Sequence, residues 1–119
     1  MNGVFEATNG IRFSMITDGL SQTLLVGEKH VPQDRFGVGG WDCSTYDSTN
    51  HQCFTRAATQ FTPLTTDPRD CGWKFGSMHP GVVNFCFADG SVHALKSNID
   101  PKILEWLGTR NGGEVIPEW

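Results

Sequence analysis

Apolar positions gather at three places along the chain. The clearest is Val82-Val83-Asn84-Phe85-Cys86-Phe87-Ala88, followed by Asp89-Gly90 and a second β-prone run over residues 91–96. Asp-Gly between such runs predicts a β-hairpin with a two-residue turn, both central residues taking positive φ. That register sets Phe87 opposite Val92 and Phe85 opposite Ala94 on one apolar face, leaving Asn84, Cys86, His93 and Leu95 on the other. The second place is Leu24-Leu25-Val26, too short for a helix, which predicts a strand over residues 23–29. The third opens at Asp100-Pro101, a capping residue followed by a proline suited to the first helical position. Ile99, Ile103, Trp106 and Leu107 then fall on one stripe at helical spacing. Arg110 sits near the predicted C-terminus, where the helix dipole favours a cation, and Asn111-Gly112-Gly113 stops the helix. Residues 114–117 read as one last short strand.

Other stretches are less regular. Ser14 is placed to cap a helical turn over residues 15–18, with Gly19 ending it in the left-handed conformation. Residues 30–70 are rich in Gly, Thr, Asp, Asn and Pro, with isolated aromatics at Phe36, Trp41, Tyr46, Phe54 and Phe61. So long a loop without elements is unusual, which predicts short strands near 37–41 and 57–61. Residues 62–71 read as a surface loop. The pattern as a whole predicts an α+β fold: a small antiparallel sheet around the Asp-Gly hairpin, a C-terminal helix packed on it, and long loops. The length of 119 residues predicts one domain spanning 1–119.

Composition narrows the function classes. Apolar content is 38%, with 14 Gly and 6 Pro, which disfavours a helical bundle. Eight Phe and four Trp give a modest core large pieces to work with. The net charge of −4 and the lack of a basic run argue against nucleic-acid binding, which needs clustered Lys or Arg. No stretch reaches the roughly 18 apolar residues of a membrane-spanning helix. The first thirty or so residues carry no signal-peptide pattern.

Chemistry-bearing residues are scattered. His79 and Asp89 are separated by a strand of about 20 Å at ~3.3 Å per residue, so they do not share a site. Asp89 reads as a turn residue, and His79 as a hydrogen-bonding residue that ties its Gly-rich loop to residues 98–100. Cys86 and His93 face one another in the predicted register, yet no H-x-H or H-E-x-x-H pattern supplies further zinc ligands. Asp42, Asp47, Asn50, Asp67 and Asp70 are oxygen donors of the kind calcium takes, without the spacing of an EF-hand loop. Ser77 lies near His79, but Gly-Ser-Met-His is not a nucleophile elbow. Trp41, Tyr46, Trp73 and Trp119 are candidates for a sugar-stacking face. The four cysteines, at 43, 53, 71 and 86, form no C-x-x-C pair. Cys86 reads as a buried thiol inside a strand.

His79, nine residues, then Asp89-Gly90 is a spaced signature. It resembles that of the prepilin-like proteins abundant in planctomycete bacteria, whose C-terminal part carries an H-x9-D-G motif. The segment Asp18-Gly19-Leu20-Ser21-Gln22-Thr23 through Gly27-Glu28 is similar to that family's D-G-S-x-T, strand, G-E stretch. Gly39-Gly40-Trp41-Asp42 and Asn111-Gly112-Gly113-Glu114-Val115 add to the likeness, which runs over roughly residues 2–115. The family usually begins with a prepilin cleavage site and a long apolar helix; neither is in this sequence, so the chain looks like the soluble C-terminal portion. The resemblance implies a pilin-like globular domain, an extracytoplasmic setting, and structural or motif roles for His79, Asp89, Gly90, Asp18, Gly19 and Glu28. In an oxidising compartment a loop disulfide follows. Cys43–Cys53 closes the shortest loop; Cys43–Cys71 and Cys53–Cys71 stay open. The leading expectation is a non-enzymatic interaction module without a cofactor, a subunit of an assembly that uses residues 30–74 for its contacts. The alternatives are a calcium- or glycan-binding module, and a hydrolase using His79.

Overall fold

A computed structural model describes residues 3–5, 9–47 and 49–119. Its fold is α+β. Three strands, β1 (Leu24–Gly27), β2 (Val82–Phe87) and β3 (Val92–Lys96), form an antiparallel sheet in the order β1-β2-β3. A short helix, α1 (His51–Phe54), lies in the long loop region, and α2 (Pro101–Leu107) covers the sheet. β2 is the centre because every second residue is apolar and buried: Val83, Phe85 and Phe87 point into the core with Leu24, Leu64, Leu95, Leu104 and Leu107. Each such side chain taken out of water contributes about 1.5–3 kcal/mol, before the entropy of ordering it.

The hairpin forms, one residue out of the expected register. Cys86, not Phe87, stands opposite Val92, and Phe85 pairs with His93. The turn is the cause. Gly90 N–H donates to Phe87 O (2.9 Å) and Phe87 N–H to Ser91 O (2.8 Å), closing a three-residue loop. Gly90 alone takes positive φ there, at 86°; Asp89 stays in the ordinary region and accepts from Ser91 N and Oγ. A type I turn followed by a left-handed glycine adds one residue to the connection. The slip moves Leu95 onto the core face opposite Val83, where it is buried, and puts His93 on the face away from Cys86. Cys86 is half-buried rather than sealed in the core.

α2 starts as its sequence predicts. Asp100 Oδ1 accepts from Lys102 N at 2.8 Å, with Pro101 in the first turn. Its innermost residues are Leu104 and Leu107, flanked by Ile99 and Ile103, so the expected stripe missed Leu104 and placed half-buried Trp106 too deep. The helix stops at Gly108, not at residues 111–113. A Cβ on Gly108 would lie 2.9 Å from Ala58 Cβ, so glycine lets the helix end against the loop region. Arg110 is therefore beyond the helix. Its guanidinium donates to Gly3 O instead of complementing the dipole. Residues 114–117 form no strand; Ile116 packs against the core.

Three further expectations change. Ser14 sits inside a 3-10 turn, Phe13–Met15, instead of capping it. Gly19 has φ 100° and ψ 134°, outside the left-handed helical region, and leads into a second 3-10 turn, Leu20–Gln22. Residues 37–41 make turns, and residues 57–62 make only the isolated bridges Ala57 to Lys74 and Thr59 to Thr62. Leu64 and Thr65 are buried, with Thr65 bridged to Gly76, so residues 62–71 are not wholly surface loop.

Candidate functional site

Glu28 and His79 meet. β1 ends in Gly27, where a Cβ would fall 2.3 Å from the Phe85 ring and 2.9 Å from Phe75; a side chain there would displace that edge-to-face pair. The close approach brings Glu28 beside the start of β2. Glu28 N–H donates to Asn84 O (3.2 Å), and Asn84 N–H donates back to Glu28 Oε2 (2.6 Å). The other carboxylate oxygen takes the His79 Nε2 proton at 3.1 Å, which fixes the tautomer of a neutral ring. Ser77 Oγ donates to Val82 O at 2.5 Å and accepts from His79 N–H at 3.1 Å. The cluster closes the loop that leads into β2.

Two expectations about His79 are settled by this geometry. Its ring is fixed to Glu28, and the hydrogen bond with residues 98–100 expected from the sequence is not the one it makes; the loop is instead joined to the residue just before that segment, through Gly81 O, which accepts from Ser97 N–H at 2.8 Å. Asp89 is spent on Ser91 at the turn, so His79 and Asp89 are not brought together. Chemically, the Glu28–His79 pair has an oriented base. The nearby hydroxyl, Ser77, is buried and aimed at a carbonyl, away from the imidazole. A nucleophile at hydrogen-bond reach of the ring is what a hydrolytic site would add.

A second pair of motif segments also meets. Asp18 Oδ2 accepts from Gly112 N–H (2.7 Å) and Oδ1 from Gly113 N–H (2.9 Å), while Asp18 N–H donates to Arg110 O (3.2 Å). Successive backbone N–H groups make a concavity that suits an anion, and the Asp18 carboxylate fills it. Gly19, next in sequence, receives the Thr23 hydroxyl on its carbonyl at 3.0 Å.

The loop region is held by a disulfide and by buried side chains on backbone carbonyls. Cys43 and Cys53 are disulfide-bonded, with Cα atoms 5.2 Å apart. Cys71 and Cys86 are free thiols. Lys29 Nζ donates to both half-cystine carbonyls, Cys43 O (2.7 Å) and Cys53 O (3.2 Å). Burial lowers the Lys29 pKa, and neighbouring Arg56 lowers it further against the opposing charge of Asp42. Arg56 donates to the carbonyls of Gln52, Thr55 and His30, and burial brings its pKa down to about 10. Buried His30 donates Nε2–H to Asp70 O at 2.7 Å.

Trp41 and Trp73 stack at 4.2 Å and 17°, with Arg35 over the first ring (5.8 Å) and Arg56 over the second (5.0 Å). One face of each ring meets the other ring and one meets a guanidinium. Trp119 stacks on Phe87. Of the four candidates for a sugar-stacking face, Tyr46 and Trp119 are exposed at 94% and 40%, whereas Trp41 and Trp73 are engaged with each other and with guanidinium groups. The loop acids are similarly occupied. Asp42 takes Gly37 N–H, Asp47 takes Thr49, Asn50 caps α1 through Gln52 N–H, Asp67 takes Arg69 N–H, and Asp70 takes Gly72 N–H and Lys74. Each makes a local turn. Among the described residues no group of three or more His, Cys, Asp or Glu side chains is placed to hold a metal ion.

What the loop region leaves open is aromatic. Phe36 (56%), Tyr46 (94%), Phe54 (49%) and Phe61 (82%) are exposed. The sequence marked these positions as isolated aromatics but carried no sign of Lys29 and Arg56. Their role depends on which carbonyls the folded loops bring to them, and no local pattern records that.

Fold and site together define a small α+β domain in which Glu28 and His79 tie down the loop entering β2 and Asp18 holds the Gly112-Gly113 bend. Residues 1–102 match the model of the family described as "Protein of unknown function (DUF1559)", and the chain belongs to that family. His79, Glu28, Asp18 and Asp89 lie in the matched stretch; Gly112 and Gly113 lie outside it. Comparisons with curated proteins and with solved structures found no match. No helix among the described residues is long and apolar enough to cross a membrane.

Proposed function

We propose that this chain is a non-enzymatic interaction module, pilin-like in kind, that works outside the cytoplasm as one subunit of a larger assembly. One observation carries the reading. Four large aromatic side chains, Phe36, Tyr46, Phe54 and Phe61, stand in solvent on a loop region tied down by a disulfide, Lys29, Arg56 and the tryptophan stack. Rigid aromatic anchors in a polar surround are the usual source of binding energy at protein interfaces, because they bury much area at little conformational cost. The loop closed by Cys43 and Cys53 presents Tyr46 at its most exposed, among Ser44, Thr45, Asp47 and Thr49. The disulfide also favours an oxidising compartment.

The motif residues support the same reading. Glu28–His79 and Asp18–Gly112/Gly113 spend their hydrogen bonds on holding loops in place. The test compares the full chain with a variant in which Phe36, Tyr46, Phe54 and Phe61 are all replaced by Ser. Each is expressed in the native cell and its assembly sized on extraction. The wild-type chain migrates above monomer mass; the variant migrates as a monomer with an unchanged melting temperature. A variant that keeps the wild-type assembly contradicts the proposal.

A further inference from the structure

The face of the sheet turned away from the core carries an apolar row that ends at a carboxylate. Strand register sets Val26 beside Cys86, and Cys86 beside Val92. Phe85 and Phe87 point into the core on either side of Cys86, so this row lies on the outer face. Val26 is 56% exposed there and Val92 68%. Two residues along, at a spacing of about 6.6 Å, comes the next row. In it Glu28 lies beside Asn84, its N–H donating to Asn84 O at 3.2 Å. A shallow cavity of about 230 Å³ runs over both rows, lined by Val26, Cys86 and Val92 and by Glu28 and Asn84.

Glu28 brings a charge to this cavity that no lysine or arginine of the chain matches. Its side chain is only 33% exposed. Oε1 accepts from His79 Nε2 and Oε2 from Asn84 N–H, a neutral ring and a backbone amide. A carboxylate has about four acceptor positions, so each oxygen keeps one. Among the described residues, the ion pairs of lysine and arginine go to Asp34, Asp67 and Asp70. Lys96 shares the outer face but stands opposite Val82 on β3, two strands from Glu28. A partly dehydrated carboxylate beside apolar walls favours a cation that arrives on an apolar stem.

We propose that this cleft receives a lysine side chain of a different protein, its ammonium on Glu28 and its methylenes over Val26, Cys86 and Val92. The four-carbon stem covers the step between the two rows, and lysine stems lie down along such surfaces while the charged head finds a partner. Arginine fits less well. Its planar fork takes both oxygens of a carboxylate side by side, and here each oxygen already holds a fixed donor. A compact ammonium needs one remaining lone pair. His79 and Asn84 thus aim the carboxylate as well as closing the loop. The cleft is built on β1, β2 and β3 and includes none of the exposed aromatics of residues 30–74, so it is a second contact surface.

The experiment has two arms. The isolated full chain is titrated with n-butylammonium, a lysine side chain without its backbone, while the Val26 and Val92 methyl and Asn84 amide resonances are followed. Their shifts should saturate. n-Butanol and ammonium chloride supply the stem and the charge separately, and each should shift them about fivefold less at equal concentration, as should n-butylammonium on Glu28→Gln, that factor being the worth of a partly exposed ion pair. Val92→Ser leaves every Glu28 hydrogen bond in place and should also weaken binding. An equal response to butanol, or full binding in Val92→Ser, overturns the proposal. The second arm treats the assembly extracted from the native cell with carbodiimide, which joins a carboxylate to an amine in contact with it. A peptide linking Glu28 to a lysine of another protein is expected. Links from Glu28 only to a second copy of this chain overturn the proposal. So does the absence of a link at Glu28 when added butylamine couples to it in the isolated chain, and so does a Glu28 that butylamine cannot reach. The butylammonium arm needs no assembly and leaves the four loop aromatics intact, so its failure leaves the loop-region reading standing. Glu28 links in an assembly whose loop aromatics stay exposed would do the reverse.

Discussion

The sheet with α2 and the loop region of residues 30–74 are stabilised in different ways. The first is a packed object: Val83, Phe85, Phe87, Leu95, Leu104 and Leu107 bury one another around β2. The second contributes Leu64 and, at its edge, Ala58 to that core and relies largely on point contacts, among them a disulfide, Lys29 and Arg56 on backbone carbonyls, His30 on Asp70 O, the Asp70–Lys74 ion pair and the Trp41–Trp73 stack. Packing hides aromatic surface, and point contacts leave it out. Phe75, Phe85 and Phe87 belong to the core, whereas Phe36, Tyr46, Phe54 and Phe61 face solvent. The contrast separates a packed scaffold from a loop region whose aromatic side chains stand in solvent.

Mutations should respect that division. Phe85→Ala removes the centre of the core and should cost about 3–5 kcal/mol, melting sheet and loops together in one transition. Loss of only the loop region on heating would break the comparison. Removing the disulfide with Cys43→Ser and Cys53→Ser should cost about 2–3 kcal/mol for a loop of this length. The damage should be local. Backbone amides of residues 41–56 should exchange with solvent at least tenfold faster through local opening, while those of β2 and β3 keep their protection relative to global stability. Equal loosening of both regions would show that the disulfide supports the scaffold as well.

Acid should act on the loop region through Asp70. Burial pushes its carboxyl up, but the hydrogen bond and charge of Lys74 and the Gly72 N–H outweigh this and hold it below the ordinary 3.8. The folded state therefore binds this proton less readily than the unfolded chain. The stability Asp70 contributes is complete above its ordinary value and is lost as pH falls through the lowered one. Asp70→Asn should flatten the acid limb of a melting-temperature profile below pH 4 and leave the neutral range with a smaller, constant loss. The smallest effect belongs to the exposed loop aromatics. Tyr46→Ser and Phe61→Ser should each change stability by less than about 0.5 kcal/mol, since little is buried at either side chain. A larger loss would mean that these rings pack in solution.

The same division explains what could be read in the sequence. Strand alternation in β2 and the Asp100-Pro101 start of α2 are local signals, and both elements formed where expected. The hairpin register was missed by one residue because Asp-Gly serves two turn types, and Asp89 takes the one with negative φ. Leu95 and Leu104 are misplaced for different reasons: the face of Leu95 follows from the wrong turn, while the helical stripe holds Ile99, Ile103 and Leu107 correctly but takes Trp106 in place of Leu104. α1 has only four residues and depends on the Asn50 cap and the disulfide, so periodicity could not reveal it. The sequence reads His79 as tied to residues 98–100, whereas its ring bonds to Glu28, 51 positions away and beyond any local pattern. Lys29, Arg56 and the Trp41–Trp73 pair act only through tertiary contacts.

The most direct measurement of the central claim is an oxidative footprint of the aromatic side chains, taken on the isolated chain and again on the assembly extracted from the native cell. Phe36, Tyr46, Phe54 and Phe61 should oxidise readily in isolation and be protected several-fold in the assembly, with Phe13, exposed on the other part of the sequence, unchanged. Full oxidation of those four side chains in the assembly, with protection falling elsewhere, would contradict the account.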